Sequence, residues 1–228
     1  MGNCFSSNDP LSLGDLVNRP GTAPEEQLTK EKIEQGLKAV AAALHAAKHD
    51  VSIIAVGGAV NTILLKTRAS TGDVDFFYRT KTKNEDVSQV ILAADAARKA
   101  LHLGDHWLNN HTALFIEEGK IKQLYDEAIT QNEIVFRQPG LTVYAAPWRY
   151  ALAAKLDRLA KPGARSYDMN DAVDYLSHLI TKRGKPEKRS ELKATAGEFK
   201  FTAPTKELMD KLAEAYKKKF NKDGVIDG

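Results

Sequence analysis

The stretch "VGGAVNTILLKTRASTGDVDFF", residues 56–77, has two glycines at its head and, near its tail, an aspartate on either side of one valine. Residues two apart on a strand point to the same face, so Asp73 and Asp75 present their carboxylates side by side while Val74 and Phe76 face a core. Carboxylates held that close repel each other unless a proton or a cation sits between them. Mg²⁺ suits such a pair, because it is commonly held by one or two carboxylates together with substrate phosphates. Two such ions can clamp the attacking and leaving oxygens of a displacement at phosphorus. The Gly57-Gly58 turn complements the pair: backbone without side chains approaches a phosphate closely, and the N–H groups that open the following helix suit an anion.

The elements around this stretch give it a setting. "VSIIAVG" is a short β-branched apolar run ended by the two glycines and reads as a buried strand followed by a turn. "AVNTILLKTR" then forms a helix, "STG" breaks it, and "DVDFFYR" alternates as a second strand. Upstream, the chain from Pro24 shows Ile33, Leu37, Val40 and Leu44 at helical spacing. Downstream, a helix is expected over about residues 84–101. Two strands, 133–135 and 141–145, meet at a Pro-Gly turn, and helical segments follow Pro147. Residues 185–204 are aperiodic, and "TKELMDKLAEAYKKKF" closes the chain as an amphipathic helix with Leu208, Leu212 and Tyr216 on one side. The expected fold class is α/β (α+β): a small mixed sheet flanked by helices, with C-terminal helices. The expected organisation is a flexible leader over residues 1–24, a main domain over 25–182, and a linker with a terminal helix over 183–228.

The 228 residues suffice for one domain with a real core and are too few for two large ones. With 33 Lys and Arg against 30 Asp and Glu, the net charge of +3 gives no footprint of a dedicated nucleic-acid binder. The single cysteine, Cys4, excludes an intrachain disulfide and a cysteine zinc site, which fits a reducing, cytoplasmic setting. No apolar run approaches the roughly 20 residues of a membrane span. The opening "MGNCFSS" nevertheless fits the N-myristoylation pattern at Gly2, with Ser6 at the required polar position. One myristoyl chain binds membranes only marginally, so palmitoylation of Cys4 would supply the second anchor and hold the protein peripherally at a membrane surface. A leader with a chance Gly2 is the alternative.

Residues 56–77 resemble the signature of the nucleotidyltransferase fold shared by polymerase-beta-like enzymes: a Gly-Gly turn, a spacer, an arginine with Thr or Ser, then D-x-D on the next strand. The chain looks most like the minimal nucleotidyltransferases related to abortive-infection toxins. "HWLNNHTALF" is similar to an element those proteins carry after the metal strand, and "VYAAPWRYALAAKLDRLAKPGARSYDMNDAVDYL" resembles their later lysine and aspartate block. The resemblance implies that Gly57 and Gly58 hold a nucleoside triphosphate and that Asp73 and Asp75 bind Mg²⁺. It further implies that Lys155 reaches a phosphate, that Arg68 contacts phosphate or fixes the turn, and that Asp168 or Asp171 finishes the site or orients the lysine. The partners so implied are a nucleoside triphosphate and an acceptor of unknown identity, nucleic acid or protein among the candidates.

The residues also admit plainer readings. Lys155 lies on a helix whose apolar side is Leu152, Leu156 and Leu159, so a solvated lysine is an equal alternative. Asp168, Asp171 and Asp174 recur every three residues, as a helix N-terminus and a wet face also would. Asp157 and Arg158 read as surface charges, and Trp107 as a core anchor rather than a base-stacking platform. Many active members of the wider fold carry a third carboxylate on a later central strand, and "GLTVYAA" has none. Glu133 would substitute if its strand lay beside Asp75. Two functions therefore stand: Mg²⁺-dependent transfer of a nucleoside monophosphate from a triphosphate, or a membrane-tethered scaffold that keeps the fold without catalysis.

Overall fold

In a computed structural model that describes residues 27–82 and 84–228, the β-branched run Val51–Val56 forms the middle strand, β2, of a five-stranded mixed sheet, and a single helical turn, α2 (Gly58–Val60), follows it. Strand β4, Val74–Phe77, lies antiparallel to it with Val56 opposite Asp75, and β7, Leu141–Ala145, lies parallel on its other side. Outside β4 sits the short β5, Leu108–Asn109, and outside β7 the edge strand β6, Ile134–Gln138, so the order is β5-β4-β2-β7-β6. The fold is thus α+β with a mixed sheet, as the alternation of apolar runs and amphipathic segments requires. The Pro-Gly turn expected between β6 and β7 is present, with Gly140 at φ 94°, a conformation that favours glycine.

The faces of the sheet are covered by different helices. On one face α1, Lys30–Ala46, and α3, Glu85–Leu101, pack Ile33, Leu37, Val40, Val90 and Ala94 over Ile53, Ala55, Phe76 and Val143. The helix expected from Pro24 begins at Lys30, because Thr29 caps it by accepting from the Lys32 N–H and because Leu28–Thr29 (β1) pairs with Ser70–Thr71 (β3). Trp107 anchors this core: it is 2% exposed, its Nε1 donates to the Ala94 carbonyl at 3.1 Å, and its ring fills the space that only the absence of a side chain at Gly36 leaves open.

On the other face, Ile54, Phe77 and Tyr144 pack against Ile121, Leu124 and Ala128 of α4, Glu118–Gln131. This helix is not among the elements expected from the sequence, although Ile121, Leu124, Tyr125 and Ala128 have the spacing of a buried helical stripe. Between β5 and α4 a 3₁₀ turn, His111–Phe115, crosses the same face and buries Ala113 there. Helices α5, Trp148–Leu159, and α6, Asp168–Arg183, follow β7, and Leu152, Leu156, Val173 and Leu176 join the main core.

The segment expected to be aperiodic holds a short strand, Glu187–Lys188 (β8), and a helix, Arg189–Glu198 (α7). It leads to the amphipathic helix α8, Lys206–Phe220, and a last strand, Val225–Ile226 (β9), that pairs with β8. Leu192, Leu208, Met209, Leu212 and Tyr216 belong to the same buried cluster as β2, so residues 183–228 pack as part of one core. Gly2, Cys4 and the leader lie outside the described residues. No helix among the described residues is long and apolar enough to cross a membrane.

Candidate nucleotide and metal site

Strand alternation puts Asp73 and Asp75 on the face that also carries Phe77 and Ile54, but beyond its apolar part, at the strand end where β2 gives way to the glycine turn. Both open into a cleft of about 480 Å³ whose walls include Gly57, Gly58, Arg68, Lys155 and Arg158. Residues nearly one hundred positions apart in sequence meet here because α5 leaves the sheet from β7, two strands over from Asp75 on the other side of β2. Partial burial, and then the neighbouring Asp73 charge, push the Asp75 carboxyl up to about 7, against the opposing pull of Asn109 and Arg158. Asn109 stands opposite Asp75 in the β4–β5 ladder and reaches Asp73 Oδ2 with its Nδ2 at 3.4 Å. Its Oδ1 accepts from the His111 N–H at 3.0 Å and so ties the 3₁₀ turn to the aspartates.

The two glycines are needed for different reasons. Gly57 adopts φ 65° with ψ −132°, a region essentially reserved for glycine. Gly58 lies in an ordinary conformation, but a Cβ there would collide with the Thr71 side chain and come within 3.3 Å of an Arg68 guanidinium nitrogen. The turn is pinned from below by Tyr175, whose hydroxyl lies 3.2 Å from the Gly57 carbonyl and also bonds the buried Asn61 side chain. Asn61 opens a π-helical turn, Asn61–Leu65, a form found frequently at functional sites.

Lys155 is anchored from behind. Its Nζ lies 2.7 Å from Asp168 and 2.8 Å from Asp171, both fully buried, while Asp171 also pairs with Arg68. Burial works against ionising Asp168, but the bonds from Lys155 and from the Arg165 backbone N–H outweigh it and hold the carboxyl below its usual range. Burial likewise opposes the Arg68 charge, and Asp171 more than restores it. The Arg68 guanidinium also stacks 3.6 Å from the Tyr167 ring centre. Asp168 and Asp171 therefore orient Lys155 and Arg68 instead of lining the cleft. The four charges of this cluster cancel, which leaves the Asp73–Asp75 pair and the outer arginines to set the field of the cleft.

Arg158 is where the sequence reading and the structure part. It lies one turn beyond Lys155 on α5, lines the cleft, and makes no side-chain hydrogen bond or ion pair among the described residues. The i, i+3 spacing from Lys155 is the signal that would have found it. Arg165 and His111 also line the cleft. Burial and the neighbouring His106 lower the His111 pKa, so its ring is neutral at pH 7.

No third carboxylate lines the cleft with Asp73 and Asp75 among the described residues. Continuing the β2–β7 register by one residue sets Ala146 beside Val56, level with Asp75, where an acid would be needed. Glu133 does not lie beside Asp75: β7 and β2 separate its edge strand from β4, a distance of roughly 14 Å at ordinary strand spacing. No group of three or more His, Cys, Asp or Glu among the described residues is placed to hold a metal ion. Asp73 and Asp75 fit an ion that draws its other ligands from phosphate and water, since the repulsion that raises Asp75 is what a bound cation would relieve.

A second, shallower groove of about 720 Å³ lies between α4, the start of α5 and the end of α6. Its cations are already engaged: Lys122 with Asp126 at 2.6 Å, Lys182 with the Gln131 carbonyl at 2.8 Å, and Arg183 with Glu187 at 2.7 Å. No curated protein and no solved structure matches the chain. A family model described as a domain of unknown function (DUF7582) matches residues 25–223, and the chain belongs to that family.

Proposed function

We propose that the cleft binds a nucleoside triphosphate with Mg²⁺ and transfers the nucleoside monophosphate to an acceptor, releasing pyrophosphate. The observation that carries this reading is the pair of same-face carboxylates, Asp73 and Asp75, opening into one cleft with Gly57, Gly58, Lys155 and Arg158. The likeness of residues 56–77 to the nucleotidyltransferase signature supports it.

In the reaction an acceptor oxygen forms a bond to the α-phosphorus. The bond from that phosphorus to the bridging oxygen breaks, its electron pair leaves with pyrophosphate, and the acceptor proton passes to solvent or to a nearby base. Bound Mg²⁺ would neutralise charge on the phosphates and draw the acceptor and the α-phosphate together. Asp73 and Asp75 supply the anionic ligands, the bare backbone of Gly57 and Gly58 lets the phosphates approach, and Arg158 offsets charge on the departing pyrophosphate. Lys155, held by Asp168 and Asp171, presents ammonium hydrogen-bond donors in a fixed geometry that needs no reorganisation during the reaction.

The test is Asp73→Asn combined with Asp75→Asn. Pyrophosphate release from each of the four nucleoside triphosphates should fall to background while the far-ultraviolet circular dichroism stays unchanged. Retained transfer in a folded double variant rules the assignment out.

A second reading, a scaffold that binds nucleotide without turning it over, is favoured by Ala146 at the level where a third acid would stand. Metal-dependent thermal stabilisation by nucleotide without pyrophosphate release selects it. In either case, acylation at Gly2 and Cys4 would place the protein at a membrane surface, and intact-mass measurement of the chain from a eukaryotic host tests that.

A further inference from the structure

We propose that Phe115 is the stacking platform for the base of the bound nucleotide; the inference rests on the nucleotide reading above. Phe115 is 77% exposed, the most exposed large apolar side chain among the described residues, and it lines the same cleft as Asp73 and Asp75. Leaving a phenylalanine in water forgoes burial that the sheet face beside it could have provided. Its exposure is built, not incidental: Ala113 is buried beneath the turn, the His111 N–H is held by Asn109, and the Thr112 side chain bonds the hydroxyl of Tyr150. The turn is thus tied to β5, beside the aspartate strand, and to α5, and it holds the ring at the mouth of a cleft whose interior is polar and charged.

The chemistry of the cleft commits the occupant. Phosphates belong with the glycine turn and the cations, so the part of the ligand left at the mouth is the sugar and base. A base offers any aromatic ring a flat π-face, and such stacking tolerates all four bases. Of the tyrosines that line the cleft, Tyr150 and Tyr175 are buried and the Tyr167 ring is already stacked on the Arg68 guanidinium, which leaves Phe115 to face the base.

The experiment titrates the full chain, wild type and Phe115→Ala, with each nucleoside triphosphate and with inorganic tripolyphosphate, all in Mg²⁺. Phe115→Ala should weaken nucleoside triphosphate binding by roughly 5- to 150-fold, the range of one base–aromatic stack, and leave tripolyphosphate binding unchanged. Phe115→Trp should restore the affinity, with its fluorescence quenched on nucleotide addition. Equal affinity of wild type and Phe115→Ala for every nucleotide overturns the platform while leaving the phosphate site standing. So does loss of binding to anionic lipid vesicles without loss of nucleotide affinity, since the ring would then be a membrane contact. If wild type binds neither nucleotide nor tripolyphosphate, the nucleotide reading falls and the platform with it.

Discussion

Arg68 and Asp171, separated by 103 residues, meet as a two-pronged ion pair in which Nε donates to Oδ1 at 3.1 Å and a terminal guanidinium nitrogen to Oδ2. Asp171 is fully buried and simultaneously holds Lys155 at 2.8 Å. One carboxylate therefore fixes two cations of the cleft, and the loop that carries Arg68 toward the aspartate strand is locked to α6.

Removing that carboxylate takes the forked partner from the half-buried Arg68 and leaves Lys155 with Asp168 alone. Asp171→Ala should destabilise the protein by about 3–5 kcal/mol, the usual cost of breaking one partner out of a buried pair. Arg68→Lys keeps the charge but loses the fork, and should cost less. Urea denaturation midpoints check both. Equal, small losses for the two variants would mean that the pair adds little to the fold.

Asp75 sets a pH dependence of opposite sign to that of an ordinary salt-bridged aspartate. Its folded-state pKa of about 7 lies above the unfolded value of roughly 3.9. Ionising it in the fold is thus unfavourable: the penalty is absent below about pH 4, grows between the two values, and is complete above about pH 7. In the presence of a chelator, Asp75→Asn should stabilise the protein by about 1–3 kcal/mol at pH 8 and by about a third of that at pH 5. Thermal melts at the two pH values decide it, and a gain that does not shrink on acidification would refute the shift.

Arg158 is exposed and makes no side-chain hydrogen bond or ion pair among the described residues, so it contributes little to stability. Arg158→Ala should leave the urea midpoint within about 0.5 kcal/mol of wild type. The same change should raise the Kd for Mg²⁺-nucleoside triphosphate about tenfold, as expected for losing a charge-assisted contact to phosphate. Calorimetric titration measures the second effect, and an unchanged Kd removes Arg158 from the site.

By itself the sequence determined the local parts. Apolar runs, helical stripes and the glycine pair are written in neighbouring residues, so β2, β4, the turn between them, α3, α5, α6 and α8 could be read directly, and so could the shared face of Asp73 and Asp75. The helix α4 is equally periodic, with Ile121, Leu124 and Ala128 on its buried side. What the tertiary structure alone decided is which distant charges meet. Asp168 and Asp171 look like any helix N-terminus until burial forces them to find Lys155 and Arg68. Arg158 looks like a surface charge until the packing of α5 beside the sheet turns it into the cleft. The strand order, not the presence of the residue, takes Glu133 out of reach of Asp75 and sets Ala146 at the level of the aspartate. Periodicity is a property of a few consecutive residues, whereas charge pairing and strand order follow from long-range packing, and no local pattern encodes them.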